Sequence, residues 1–274
     1  MSEKFIGYFR LLDACAQRGC PACRCVRESG RLHLDALIYE QVTDADTRRR
    51  LRASWGFCNM HAWMLLEIES SYLGAGIIYE DLLGLLVRRV RRLGDRSRAV
   101  RFASWLAALG WRRGRPTIAE LYRRRDLCPV CANAAEAEDQ YLRTLVRFID
   151  DPEVVLAYAN SDGLCAPHVL RTIELEAGNP RVPQLLDRTL QKWEGFREDL
   201  ESFVRKHDYR NKEPFTEAEA ESYRRAFELL AGAPGLFGND LHASRRGDGR
   251  ASPPRRSTVI PVEPRREASP KHER

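Results

Sequence analysis

Apolar residues recur along most of this chain at helical spacing, and turn residues cut the pattern into short runs. Phe5, Tyr8, Phe9 and Leu12 predict an amphipathic helix over 4–16, which Gly19 ends. Pro21 suits the first turn of a new helix, because its fixed φ and missing N–H cost nothing there. That helix passes through Leu34, Leu37 and Ile38 to about Gln41. Thr43-Asp44 offers the cap of a brief helix to Ala53, and Trp55-Gly56-Phe57 forms the next break. From Asn59 to about Leu93 the pattern predicts one long helix, with Leu82, Leu86, Val90 and Leu93 on its buried face and Gly74, Gly76 and Gly84 as points of kinking or close packing. Met60, Trp63 and Met64 at its start read as core. A short helix over 98–111 follows, carrying Phe102, Trp105, Leu106 and Leu109 and broken by Gly110, Gly114 and Pro116.

The second half repeats the first. Thr117 to Arg125 leads into a helix from Pro129 to about Ile149. Asp150 or Asp151 then caps a short helix opened by Pro152, and Ser161-Asp162-Gly163 makes the next break. The chain stays helical to about Ala177, breaks at Gly178-Asn179-Pro180 and resumes from about Pro183 to Lys206. A final helix, opened by Thr216 and Glu219 as a capping box, runs to about Leu230. No segment alternates as a strand does. Beyond Gly232 the composition turns to Gly, Pro, Ser and Arg, which predicts a disordered basic tail. The pattern thus predicts an all-α protein of two tandem helical units, residues 1–111 and 112–232, followed by the tail at 233–274.

The breaks carry the chemistry. Cys20-Pro21-Ala22-Cys23 is followed by Gly56-Phe57-Cys58-Asn59-Met60-His61, and Cys128-Pro129-Val130-Cys131 by Gly163-Leu164-Cys165-Ala166-Pro167-His168. The four donors of one copy lie 108, 108, 107 and 107 residues from those of the other, one register with a single deletion. Each copy offers three sulfurs and an imidazole, a four-ligand set for tetrahedral zinc. Two Cys three apart around a tight turn direct both sulfurs at one point, and a helix N-terminus stabilises the thiolates. A closed set of this kind reads as structural, so its binding free energy is part of the folding free energy. A [4Fe–4S] cluster is the rival, although cysteine alone is its usual ligand set. The shorter chain closure, 34 intervening residues in the first copy and 33 in the second, favours each copy holding its own metal over a swapped arrangement. Cys15 and Cys25 flank only the first pair; packing on helix faces, ligand exchange and thiol redox are the readings open to them. The copies are chemically unequal there, which points to the first as the place to seek an activity.

Charge adds less. The net charge is +6, but residues 241–274 alone carry +5, residues 88–125 carry thirteen Arg against Asp95 and Glu120, and residues 126–240 carry −9. The body is polarised, not uniformly basic. Arg88, Arg89, Arg91, Arg92, Arg96, Arg98, Arg101, Arg112, Arg113 and Arg115, with Trp105 and Trp111 between, fit either a solvated helix face or a phosphate-binding surface. His33, His207, His242 and His272 join no motif, and no phosphate loop, dinucleotide fingerprint or nucleophile elbow is present. The N-terminus lacks the pattern of a secretory signal and no run approaches 18 apolar residues, so a cytoplasmic protein without a membrane span is expected, its cysteines reduced.

The paired Cys-Pro-x-Cys and Gly-x-Cys-x-x-His motifs resemble an uncharacterised family of bacterial, mostly helical proteins, a domain of unknown function, over about residues 5–230. The resemblance implies metal ligation at the eight matched positions and no substrate or mechanism. The expectation is therefore a binding or scaffolding protein with two structural zinc sites, a protein partner and no evident catalytic residue. A redox protein built on iron–sulfur or thiol chemistry, and a nucleic-acid-associated factor using residues 88–125, are the alternatives.

Overall fold

Ten α-helices and no strand are found among the described residues of this computed structural model, which are 3–69, 71–107 and 126–237, with 92–107 described as backbone only. In chain order they are α1 (Ile6–Cys15), α2 (Pro21–Glu40), α3 (Ala45–Ser54), α4 (Asn59–Leu66), α5 (Tyr72–Ala107), α6 (Pro129–Arg147), α7 (Pro152–Asn160), α8 (Ala166–Leu175), α9 (Val182–Lys206) and α10 (Glu217–Ala231). The local signals act as expected. Asp44 accepts from the Thr47 N–H at 2.7 Å and Asp151 from the Glu153 N–H at 3.0 Å, each satisfying a backbone donor at a helix start. Pro21, Pro129 and Pro152 each open a helix.

The expected helix from Asn59 to Leu93 is two helices, and the second continues through the helix expected to begin at 98. The chain leaves α4 in a tight turn, Glu67 N–H donating to Met64 O and Ile68 N–H to Leu65 O, and Ser71 O accepts from Ala75 N–H as α5 starts. Serine favours such boundaries because its hydroxyl competes for backbone groups. Gly74 serves close packing: a Cβ there would lie 2.8 Å from Ile38 Cγ2. Two core expectations fail. Trp63 is 63% exposed, and along the predicted inner face of α5 burial falls from Leu82 through the half-buried Leu86 to Val90, which is 50% exposed. The side chain of Leu93 and residues 108–125 and 238–274, including most of the expected tail, lie outside the described residues.

Helices α2 and α6, the first long helix of each sequence unit, make the most extensive contact in the fold. They run antiparallel: Gly30, in the middle of α2, approaches Val130 at the start of α6, while Glu138, in the middle of α6, lies beside the His168 ring that meets Cys20 and Cys23 at the start of α2. Two cores form, one at each end of this pair. The first joins Tyr8, Leu11 and Cys15 to Leu142, Leu145, Val146, Tyr158, Leu164 and Leu185. The second joins Leu34, Leu37, Leu51, Phe57, Met64, Leu65 and Ile78 to Val130. Polar contacts cross as well, with Tyr8 Oη 2.8 Å from Asp151 Oδ1 and the Gly19 N–H donating to Asp162 Oδ2 at 2.6 Å.

At the far end, α10 is tied to α9 through its capping box. Glu219 Oε2 accepts from Lys206 Nζ and from the Thr216 N–H, each at 2.8 Å, while Oε1 accepts from Ser202 Oγ at 2.5 Å. The Lys206 ammonium, the Ser202 hydroxyl and the Thr216 N–H hold the carboxyl down to about 2 from its ordinary 4.5. The folded value lies below the unfolded one, so the contribution is present above pH 4.5 and is lost as pH falls towards 2. Glu219→Gln is expected to lower Tm at neutral pH, and its gap from the native chain should close through that acid window. A gap constant with pH would remove this carboxylate from the account.

Candidate metal centres

All eight matched residues come together, in two groups of four. Cys20, Cys23, Cys165 and His168 form cluster one, and Cys58, His61, Cys128 and Cys131 form cluster two, with one donor atom per residue and all donors of a group within 4.8 Å of one another. Each cluster takes its Cys-Pro-x-Cys pair from one sequence unit and its Cys-x-x-His pair from the other. The expected pairing within each copy is therefore corrected to a reciprocal exchange of half-sites. Magnitudes explain why. Joining Cys23 to Cys165 closes over 141 intervening residues instead of 34, which costs only about 1 kcal/mol more in chain entropy. The exchange lets α2 and α6 bury their apolar faces together, and one fully buried Leu or Val contributes about 1.5–3 kcal/mol.

Cys20, Cys58, Cys128 and Cys165 are the N-cap residues of α2, α4, α6 and α8, so each cluster joins two helix N-termini, whose partial positive charge favours thiolates. Similar turns deliver the Cys-x-x-His pairs. Ser54 Oγ donates to Gly56 O at 2.8 Å, and Ser161 Oγ donates to Tyr158 O at 2.8 Å while accepting from Gly163 N–H at 3.1 Å. Gly56 and Gly163 have φ of 82° and 76°, which glycine adopts without strain, and Trp55 beside the first is also left-handed at 58°.

In cluster one, His168 Nδ1 lies 3.4, 3.4 and 3.1 Å from the sulfurs of Cys20, Cys23 and Cys165, and Cys23 and Cys165 are 3.6 Å apart. In cluster two, His61 Nδ1 lies 3.1, 3.7 and 3.4 Å from those of Cys58, Cys128 and Cys131, with Cys58 and Cys131 3.5 Å apart. In both, Nδ1 is the ring nitrogen that faces the sulfurs. The neighbouring Cys131 and Cys58 thiols hold Cys128 down to about 3, against the effect of burial. Burial pushes Cys20 up, but contacts with Cys165, Cys23 and His168 outweigh it and hold this thiol well below the usual range. Cys23 and Cys131 are raised, chiefly by the neighbouring sulfurs of their own clusters.

Cys15 and Cys25 belong to neither cluster. Both are buried, and burial pushes each thiol up to about 12, so they pack as neutral thiols. Two features escape the motif reading. Glu138 Oε1 lies 3.5 Å from His168 Nε2, near enough for an ionic contact though not aligned as a hydrogen bond. Ala233–Phe237, assigned to the tail by composition, instead covers cluster one: the Ala233 N–H donates to Cys23 Sγ at 3.4 Å, and the Phe237 ring meets His168 edge-on at 5.2 Å between centroids. Within the arginine run, Arg89 lies over the Trp55 ring at 4.8 Å; the side chains of Arg92, Arg96, Arg98 and Arg101, and all of Arg112, Arg113 and Arg115, lie outside the described residues. No described helix is long and apolar enough to cross a membrane.

The two clusters can each hold a metal ion. No curated protein and no solved structure matches the chain. A family model does match, over residues 1–234, and the chain belongs to that family, a family of unknown function (DUF6062).

Proposed function

We propose that clusters one and two each bind a structural Zn²⁺ ion, and that the protein is a non-catalytic helical module whose two sequence units are locked together by these metals to present a surface to a protein partner. The observation that carries this is the convergence of three sulfurs and one imidazole on one point, twice, with seven of the eight donor residues buried. A tetrahedral zinc site with Zn–S about 2.3 Å and Zn–N about 2.0 Å has S···N edges of about 3.5 Å and S···S edges of about 3.8 Å. The S···N contacts of 3.1–3.7 Å and S···S contacts of 3.5–3.6 Å are close to those edges. A [4Fe–4S] cluster bound at four separate irons would hold its ligands farther apart. Four protein ligands also leave no position for a substrate water, which favours a structural role over a hydrolytic one. The partner reading draws on the apolar side chains left open along α4 and α5, including Trp63, Leu66, Tyr72 and Leu73.

Metal analysis of anaerobically purified protein tests this reading. Two zinc ions per chain are expected, and Co²⁺ in their place should give the intense visible bands of tetrahedral thiolate ligation. Brown protein containing iron and labile sulfide would overturn it.

A further inference from the structure

We infer that the two metal sites are unequal in permanence, that Glu138 is the positioning residue that makes the difference, and that cluster two is the exchangeable site from which metal can be withdrawn. The inference rests on the metal reading above and deepens it. Glu138 and Gly30 occupy the same place in the two units, each ten residues past the first cysteine of its motif. Because α2 and α6 are antiparallel, each of these positions faces the imidazole of the cluster at the opposite end. Glu138 puts a carboxylate oxygen 3.5 Å from Nε2 of His168. A Cβ on Gly30 would lie 3.4 Å from Nε2 of His61, so residue 30 itself offers that ring no carboxylate.

The chemistry follows from which nitrogen faces the sulfurs. With Nδ1 of His168 turned to the cluster, Nε2 carries the proton of the neutral ligand, and that nitrogen is buried without a hydrogen-bond partner. A carboxylate beside it fixes the tautomer, orients the ring and raises the basicity of the ligating nitrogen. Two further observations separate the sites in the same direction. All four donor residues of cluster one are buried, whereas Cys131 of cluster two is half-buried. Cluster one is also covered by Ala233–Phe237, whose backbone N–H at Ala233 stabilises the Cys23 sulfur and whose Phe237 ring packs on His168. Incoming chelators or competing thiols therefore meet cluster two first.

The test is metal release from the full-length, zinc-loaded protein into excess chelator, with iodoacetamide present and the labelled cysteines identified by mass spectrometry. Two phases of one equivalent each are expected. Cys58, Cys128 and Cys131 should be labelled in the faster phase and Cys20, Cys23 and Cys165 in the slower, with Cys15 and Cys25 protected throughout. Glu138→Ala, which keeps a strong helix former within α6, should speed the slower phase about ten- to a hundredfold and leave the faster one unchanged. Glu138→Gln, which retains an acceptor, should restore part of the difference. A single phase, the reverse order of labelling, or a slower phase indifferent to Glu138→Ala would each overturn the proposal. If the Ala variant does not fold, Glu138→Gln decides the role of Glu138, a slower phase at the native rate overturning it, and the labelling order of the native chain decides which site exchanges. Protein that carries no metal and takes up neither Zn²⁺ nor Co²⁺ would instead overturn the metal reading beneath it.

Discussion

Cys128→Ser is expected to lower the metal content from two ions per chain to one and to loosen the first sequence unit as well as the second. Cys128 shares its cluster with Cys58 and His61, at the start of α4. Losing a structural ligand forfeits binding free energy that is also folding free energy, a loss of several kcal/mol. The damage should follow the cluster. Hydrogen exchange should lose protection in Asn59–Leu66, in the buried part of α5 around Ile78 and Leu82, and in the first turn of α6, while Ala166–Leu175 stays protected by cluster one. Had each copy held its own metal, the same substitution would free Cys165 and His168 and expose α8 instead. Loss of protection confined to Ala166–Leu175, with α4 unaffected, would therefore contradict the exchanged half-sites. The mirror variant, Cys20→Ser, should expose α8 and Ala233–Phe237 and spare α4.

The sequence made the elements legible because their signals are local. Proline opening α2, α6 and α7, Asp44 and Asp151 capping α3 and α7, and the Thr216–Glu219 box all act within one turn of helix. The eight donors were legible for a related reason: a register-matched duplicate turns each weak motif into a strong one. Their pairing was not, because it is set by competition between a small loop-closure term and the burial of α2 against α6, and only the first can be counted along a chain. The break before α5 was missed because one serine boundary is weak against a long helical pattern. Glu138 and the Ala233–Phe237 cover had no duplicate to mark them. The repeat has Gly30 where Glu138 stands, and a Gly- and Pro-rich composition hid a segment whose Ala233, Leu236 and Phe237 pack on the core beside cluster one. Cys15 and Cys25 mark the first copy in the sequence, but they are packed away from both clusters, and the sites differ instead in Glu138, in the Ala233–Phe237 cover and in the exposure of Cys131.

Exchange of half-sites also sets what the two units can do apart, and severing them should have the largest effect of all. Cut between residues 111 and 112, the chain gives pieces that each keep three matched cysteines and one matched histidine, so donor count alone permits one metal in each. What each piece loses is the surface that places those donors. Separation takes from α2 and from α6, with their buried apolar side chains, the helix that each contacts most. Re-exposing even two such side chains forfeits about 3 kcal/mol, and tenfold in affinity corresponds to about 1.4 kcal/mol. Zinc affinity in either separate piece, measured by competition with a chromophoric chelator, should therefore fall at least about a hundredfold below that of the whole chain. Mixing the pieces should restore two tightly held metals and the helical signal together, since the contacts that build each cluster lie between the pieces. Residues 1–111 binding one zinc alone as tightly as the intact protein would show that the half-sites pair within a unit, and the interlocked arrangement would fail with it.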